Sequence, residues 1–334
     1  MAEEREFSLN RAAFFFGAAI FLFLMTIPVF AGGKSDDWAD SVKKNYPDSE
    51  YISAVGSGKD RASAESDAKL ALSQILGESI SAEQVTMQYA DSTGREEGMI
   101  SSVVNEKAVF EHITGIVIKE NYVDKKTKTY YALAVLNRKE SGDYYFAKAN
   151  EASLHINDLV SKAKKLRGKV DSLSYLNEAI DISEDTEYNV NLLSVISPAQ
   201  GRIVRAAYQS PQSLRTVRAE LASAVTVSVA VQGDSDGRIR SAFVSALRDK
   251  GVTVVDSGGT YIIDADISFE HADVADPQHI FVRYILNAPM TEIVSGNTVV
   301  PYTLAGREGH VTESQAKNRA VIKMSGTIKT EYLR

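Results

Sequence analysis

Cysteine is absent from all 334 residues, which removes disulfide frameworks, zinc knuckles, thiol catalysis and iron–sulfur ligation. Histidine is scarce. The five, His112, His155, His271, His279 and His310, are scattered with no helix-spaced pair and no nearby carboxylate triplet, so no metal or cofactor is expected. No long basic block occurs, and 37 basic against 44 acidic residues give a net charge of -7, which argues against nucleic acid as a partner. No segment recurs at a fixed period, so a repeat array is not read. What remains is an ordinary globular composition, 44% hydrophobic and 24% charged, with length for about two domains.

The first 31 residues stand apart. Ala12 to Ala31 carries no charge, follows Arg11 and is succeeded by Gly32, Gly33, Lys34, Asp36 and Asp37, the pattern of a hydrophobic export segment. Val29 and Ala31 place small residues where signal peptidase needs them, and Pro28 breaks the helix just upstream. Cleavage after Ala31 is the preferred reading, although the run is also long enough to be a retained anchor. Either way the remainder works outside the cytoplasm of a bacterial-type cell, in the periplasm or envelope. An exported chain without disulfides depends on packing alone.

Residues 32–50 read as a polar linker with the lone Trp38 and a turn at Pro47-Asp48. Tyr51 to Gly56 alternates as a short strand, closed by a Gly-Ser-Gly turn that hands on to a helix starting at Asp60. From Arg61 to Leu76, Ala64, Ala68, Ala71 and Ile75 recur at helical spacing and give a small-residue face suited to close packing on a sheet. Residues 79–90 and 101–110 do not decide between strand and helix. Gly115–Asp124 and Thr129–Arg138 form a hairpin around Lys125 to Lys128.

Residues 140–169 and 171–196 predict two helices, with Ala147, Leu154, Leu159, Ala163 and Leu166 on the core face of the first. Leu173, Leu176, Ala179, Ile180 and Leu192 do the same for the second. Pro198 and Ser210-Pro211 open two more helical stretches to about Ala222. From Val225 the pattern changes to a strand, an amphipathic helix around Phe243 that stops at Gly251, and strands over 252–255 and 261–269. Ile280–Pro289 and Glu292–Leu304 read as a hairpin around Ser295-Gly296-Asn297. A last helix, Glu313 to Thr330, has Thr312 as its cap and Ala316, Ala320, Ile322 and Met324 toward the sheet. The fold class is α+β: two small mixed sheet-and-helix domains, 51–139 and 223–334, joined by a helical segment over 140–222.

Several motifs invite chemistry. Gly233-Asp234-Ser235-Asp236-Gly237 has nucleophile-elbow spacing between a strand and a helix, with Asp264, Asp273, His279 and His310 downstream. Two carboxylates beside the serine would raise its pKa, and the remaining hundred or so residues cannot supply the large parallel sheet of that fold. A turn whose aspartates cap the next helix explains the motif with less. It also mimics the start of a calcium loop, but Ser245 stands where a bidentate glutamate is needed. Gly56-Ser57-Gly58 lacks the third glycine and the lysine-serine pair of a phosphate cradle. Lys162, Lys164, Lys165, Arg167 and Lys169 could touch anionic lipid or simply complement a helix dipole. Tyr130, Tyr131, Tyr144, Tyr145 and Phe146 could form a glycan or subunit surface, although strand alternation sends half of them to the core.

Tyr51-Ile-Ser-Ala-Val-Gly-Ser-Gly58, the alanine-rich helix after it and Tyr130-Tyr-Ala-Leu-Ala-Val-Leu-Asn-Arg138 resemble the Lpp-twenty (LPP20-like) lipoprotein family, with its FlgP-type flagellar envelope members, over residues 48–140. That resemblance implies a small α/β domain assembling at the outer membrane or in the periplasm. The family's frequent acylated cysteine is missing here. Residues 225–334 resemble in pattern the LpoB, CsgG and FlgT type of envelope protein, which implies docking to other envelope components; function carried on fold alone is analogy. The expectation is a non-enzymatic envelope assembly protein that binds envelope or flagellar proteins, or itself. A regulator docking on a peptidoglycan synthase or secretion machine is the alternative, and a hydrolase using Ser235 the outsider. No catalytic, cofactor-binding or metal residue is assigned, and membrane contact is expected only through residues 12–31 if they are kept.

Overall fold

A computed structural model describes residues 35–91, 113–274 and 278–333. The export segment and residues 101–110 lie outside them. Among the described residues no helix is long and apolar enough to cross a membrane. The chain divides into two compact units, Met1–Pro47 and Asp48–Arg334.

The described part of the first unit is a helix, α1 (Ser35–Asn45), where a linker was expected. Its last turn holds Lys43 and Lys44, which oppose the negative end of the helix dipole. The second unit is a mixed α+β body. Its elements run β1 (Tyr51–Gly58), α2 (Arg61–Asp91), β2 (Val117–Asp124), β3 (Thr129–Asn137), α3 (Arg138–Lys165), α4 (Asp171–Ile196), α5 (Pro198–Ala207) and α6 (Pro211–Ser223). Then come β4 (Thr226–Gln232), α7 (Arg238–Asp249), β5 (Thr253–Val255), β6 (Tyr261–Ala272), β7 (Ile280–Asn287), β8 (Met290–Glu292), β9 (Thr298–Val300), β10 (Thr303–His310) and α8 (Glu313–Glu331).

The first sheet has the order β1-β3-β2, antiparallel throughout. On β1 the side chains facing α2 shrink along the strand, Ile52, Ala54, Gly56, Gly58, so the helix closes onto the strand at its glycine end. A Cβ on Gly56 would stand 2.0 Å from the Ala68 nitrogen and 2.6 Å from the Ala64 oxygen. Ala64 and Ala68 are fully buried there, as their spacing predicts. Gly-Ser-Gly is therefore strand and not turn, a correction whose cause is the helix lying on it. Asp60 starts α2 by accepting from the Ser63 amide at 2.8 Å. The helix runs on through 79–90, which the weak periodicity left undecided; Ser79 and Ser81 turn their hydroxyls back onto the carbonyls of Ile75 and Gly77.

The larger sheet has the order β10-β7-β6-β4-β5, with β8 on β6 and β9 on β8. β4 is parallel to both β5 and β6, and the other pairs are antiparallel. The long partner of β7 is β10, with Asn287 opposite Thr303 and Ile280 opposite His310. The Ser295-Gly296-Asn297 turn instead closes the short β8–β9 hairpin, where Glu292 donates to the Asn297 carbonyl at 2.9 Å. Pro289 and Pro301 explain the difference, since neither can donate to a ladder and each ends a strand. Residues on β6 alternate cleanly: Ile263, Ala265 and Ile267 are buried while Asp264, Asp266 and Ser268 are exposed. One face thus meets helices and the other is open.

Two apolar clusters form. One gathers β1, α2 and β3 with Tyr145 and Ala149 of α3, Val190 to Ile196 of α4 and Val204 of α5. The other gathers the large sheet, α6, α7 and α8 with Ile156 to Ala163 of α3 and Leu173 to Ile180 of α4. The helical segment is therefore shared between both cores and does not merely tether them. Ala147 and Leu154 were expected inside but lie outside, Leu154 at 63% exposure; Tyr145, Ala149 and Ile156 take the packed face. On α8, Ile322 is likewise exposed and Ile328 is buried.

Gly56→Ala should lower the unfolding free energy by about 3 kcal/mol, read as the midpoint shift in a urea titration, because the methyl group meets helix backbone that cannot step aside. Burial pushes Tyr188, Tyr208 and Tyr302 up to about 12 and raises Tyr332 as well. A raised folded pKa means the stabilisation is complete below the ordinary tyrosine value near 10 and is lost as pH climbs toward 12. Melting temperature should therefore fall steeply over that window, with tyrosinate absorbance appearing together with unfolding.

Candidate functional site

The Gly233–Gly237 loop joins β4 to α7. Its glycines have φ of 81° and 67°, and Gly233 needs its lack of a side chain because a Cβ would come 2.8 Å from the Ile267 oxygen. Asp234 Oδ2 accepts from the Arg240 amide at 2.8 Å, serving an orphan donor in the first turn of α7. Ser235 is exposed and donates to its neighbour Asp236 at 3.1 Å. The downstream residues do not converge on it. Asp264 is exposed on the open face of β6, His271 lies 3.6 Å from Asp273 in an exposed pair, His279 meets the Phe281 ring, and His310 accepts from the Val311 amide through Nδ1. The loop is a helix cap. Among the described residues no group of three or more His, Cys, Asp or Glu could hold a metal ion.

The basic end of α3 is mostly spoken for. Lys162 pairs with Asp158 at 2.7 Å, Arg167 with Glu220 at 3.2 Å, and Lys169 with Glu292 of β8. Lys164 and Lys165 line an open depression of ≈ 460 Å³ with Asn157, Val160, Ser161 and Gln209. Hydrogen bonds from Lys169 and Ser295 hold the Glu292 carboxyl below its ordinary value.

The five aromatics do not form one surface. Tyr130 and Phe146 pack against the smaller core. Tyr131 points to the opposite face of its sheet, 6.1 Å from Tyr122. Tyr145 is buried, its hydroxyl accepting from the Thr114 amide at 2.9 Å, while Tyr144 is exposed beneath the Lys148 ammonium. Sequence reasoning missed the work of Asn137 and Arg138, which end the quoted β3 motif. Asn137 caps α3 by accepting from the Glu140 amide at 2.9 Å. Arg138 donates to the carbonyls of Asp48, Val195 and Ile196 at 2.8–3.0 Å, joining the entry to β1 with the last turn of α4. A strand motif ending in Asn-Arg directly before a helix was the available signal.

The arrangement offers surfaces, edges and caps. The class it defines is a mixed α+β protein whose first sheet carries one closely packed helix. Comparison with known proteins narrows this: residues 36–137 match the model of the LPP20 lipoprotein family, so this N-terminal region, roughly a third of the chain, resembles those lipoproteins. No curated protein matches. Among solved structures, a secreted protein of Helicobacter pylori aligns at 15% identity over 84% of this chain and 98% of its own, with a TM-score of 0.33. A minor lipoprotein of Acinetobacter baumannii aligns at 14% over 31% and 83%, TM-score 0.24. Rare lipoprotein B of Shewanella oneidensis aligns at 13% over 31% and 85%, TM-score 0.23. The family match ends at residue 137, and the likeness expected for residues 225–334 gains no independent support.

Ser235→Ala should leave the urea midpoint within about 0.5 kcal/mol of the parent, whereas Asp234→Ala should cost about 1 kcal/mol through the lost cap. The reverse ranking would show that the loop has a role other than starting α7.

Proposed function

We propose that the chain is an exported, non-enzymatic assembly protein of the bacterial-type cell envelope, binding other periplasmic, outer-membrane or flagellar components. The observation that carries this reading is the LPP20 lipoprotein match over β1, α2, β2 and β3. The export pattern before Gly32 supports it, as does the use of Asp234 and Ser235 in a local turn. The domain bounds, release by cleavage after Ala31 and any flagellar association belong to the same proposal. With no cysteine to acylate, retention at a membrane would fall to residues 12–31 in the uncleaved form.

The test is affinity capture of the tagged protein from cross-linked cells, with the intact mass measured on the same sample. Recovery of envelope or flagellar structural proteins, with a mass starting at Gly32, is the expected result. Recovery of a lone synthase would move the reading to a docking regulator, and turnover by the purified protein that disappears in Ser235→Ala would overturn it.

A further inference from the structure

Every sheet has two edges, and an exposed edge is a template for another strand unless the protein blocks it. Among the described residues the edge strands are β1, β2, β5, β9 and β10, and all but β1 are blocked or, like the three-residue β9, too short to serve. β2 is interrupted by a bulge between Ile118 and Glu120 that displaces Lys119. β5 is three residues long. β10 tucks Glu308 beneath it, where Lys323 at 2.8 Å and Arg319 at 3.9 Å hold the carboxylate. β1 has none of these devices: eight residues, Tyr51-Ile-Ser-Ala-Val-Gly-Ser-Gly58, without charge, proline or bulge.

The phase of the ladder shows which groups β1 presents. Arg138 donates its amide to the Glu50 carbonyl at 2.8 Å, so the even-numbered residues bond β3 and the odd-numbered ones point outward. One outward group is already answered, since the Ser57 amide donates to Asp67 Oδ2 of α2 at 2.8 Å. The outward N–H and C=O groups of Ser53 and Val55 have no partner among the described residues. Asp67 therefore marks the flank of α2 that overhangs this edge. Leu70, one turn on along that flank, is 45% exposed, and Val55 is 43% exposed. Unpartnered backbone groups with an uncovered aliphatic side chain on each side of the sheet, Leu70 on the α2 side and Val55 on the opposite face, are the parts of a strand-addition site.

We propose that the outer edge of β1, from Ser53 to Ser57, receives an extended, net-basic strand of another envelope protein, paired to Ser53 and Val55 and packed under α2. Charge selects that occupant. From Asp48 to Glu78 the chain carries six carboxylates and three cations, and since Arg61 and Glu65 neutralise each other at 2.6 Å, five carboxylates and two cations remain. A second copy would bring the same excess of negative charge to the interface, whereas a lysine-bearing strand would be drawn to it. The inference rests on the assembly reading for the source of the strand, and on the geometry alone for the site.

The probe is a fluorescent ten-residue peptide alternating valine and threonine with two lysines, titrated into the purified full chain and followed by anisotropy and amide hydrogen exchange. Binding is expected to slow exchange at Ser53 and Val55 about tenfold or more, and a peptide with glutamate for lysine should bind at least about tenfold more weakly. Ser53→Pro removes only an outward N–H, so it should abolish binding without moving the melting temperature. Should that variant fail to fold, Val55→Lys puts a charge on the edge and should do the same. Absence of binding, binding that survives a folded edge variant, or equal affinity for the glutamate peptide would overturn the proposal. A concentration-dependent dimer abolished by Val55→Lys would assign the edge to a second copy and overturn it equally. Peptide binding as described, with no envelope protein in the cross-linked capture, would count against the assembly reading alone.

Discussion

The α3–α4 hairpin has to satisfy two apolar cores at once, and the rest of the chain is arranged around that requirement. Each helix gives one end to the cluster under the first sheet and the other to the cluster under the second. Between the two grips lies a short polar belt, with Ser153, Ser183 and Thr186 buried where a single continuous core would place leucines. Ser183 is satisfied by the Tyr208 hydroxyl and the Gln209 carbonyl, each at 2.8 Å, and Thr186 by the Ile182 carbonyl at 2.6 Å. Those partnered hydroxyls cost little, whereas Ser153 Oγ is buried without a hydrogen-bond partner and carries a desolvation cost.

The ends of the hairpin are secured by polar contacts. Arg138 reaches the last carbonyls of α4, where helix partial charge is negative, and a guanidinium is suited to bridging several acceptors at once. Arg205 adds bonds to Ser194 and Asn191 at 2.8 and 3.0 Å, and Gly201 lets α5 approach so closely that a Cβ there would stand 2.6 Å from the Ser194 Cα. At the far end Lys169 meets Glu292, and the Tyr261 hydroxyl accepts from the Val170 amide at 3.1 Å.

Which parts of this were legible in the sequence follows from whether a residue answers to one neighbour or to two. Ala64 and Ala68 repeat along a helix that packs on one strand, and periodicity identifies them. Leu154 misleads because the buried stripe of α3 runs Tyr145, Ala149, Ser153, Ile156 at helical spacing, so a serine holds the buried position and the leucine beside it faces out. The β7–β10 pairing was hidden for a different reason. Local turn chemistry at Ser295-Gly296-Asn297 advertises a hairpin, and the longer ladder around it forms between strands whose register no local signal encodes. Gly56-Ser57-Gly58 suits a turn, a phosphate cradle or a close helix approach equally well as letters. Only the position of Ala68 decides among them. The serine of the Gly233–Gly237 loop could be set aside from sequence on grounds of scale, but the cap given by Asp234 to Arg240 depends on distances that spacing does not supply.

A paired-helix strut of 28 and 26 residues also has a length, roughly 40 Å at about 1.5 Å per residue. Because both sheets are clamped to it by their own cores, that length is a spacer fixed by helix geometry. The separation of the two sheets could be changed only by adding or deleting whole helical turns in both rods together.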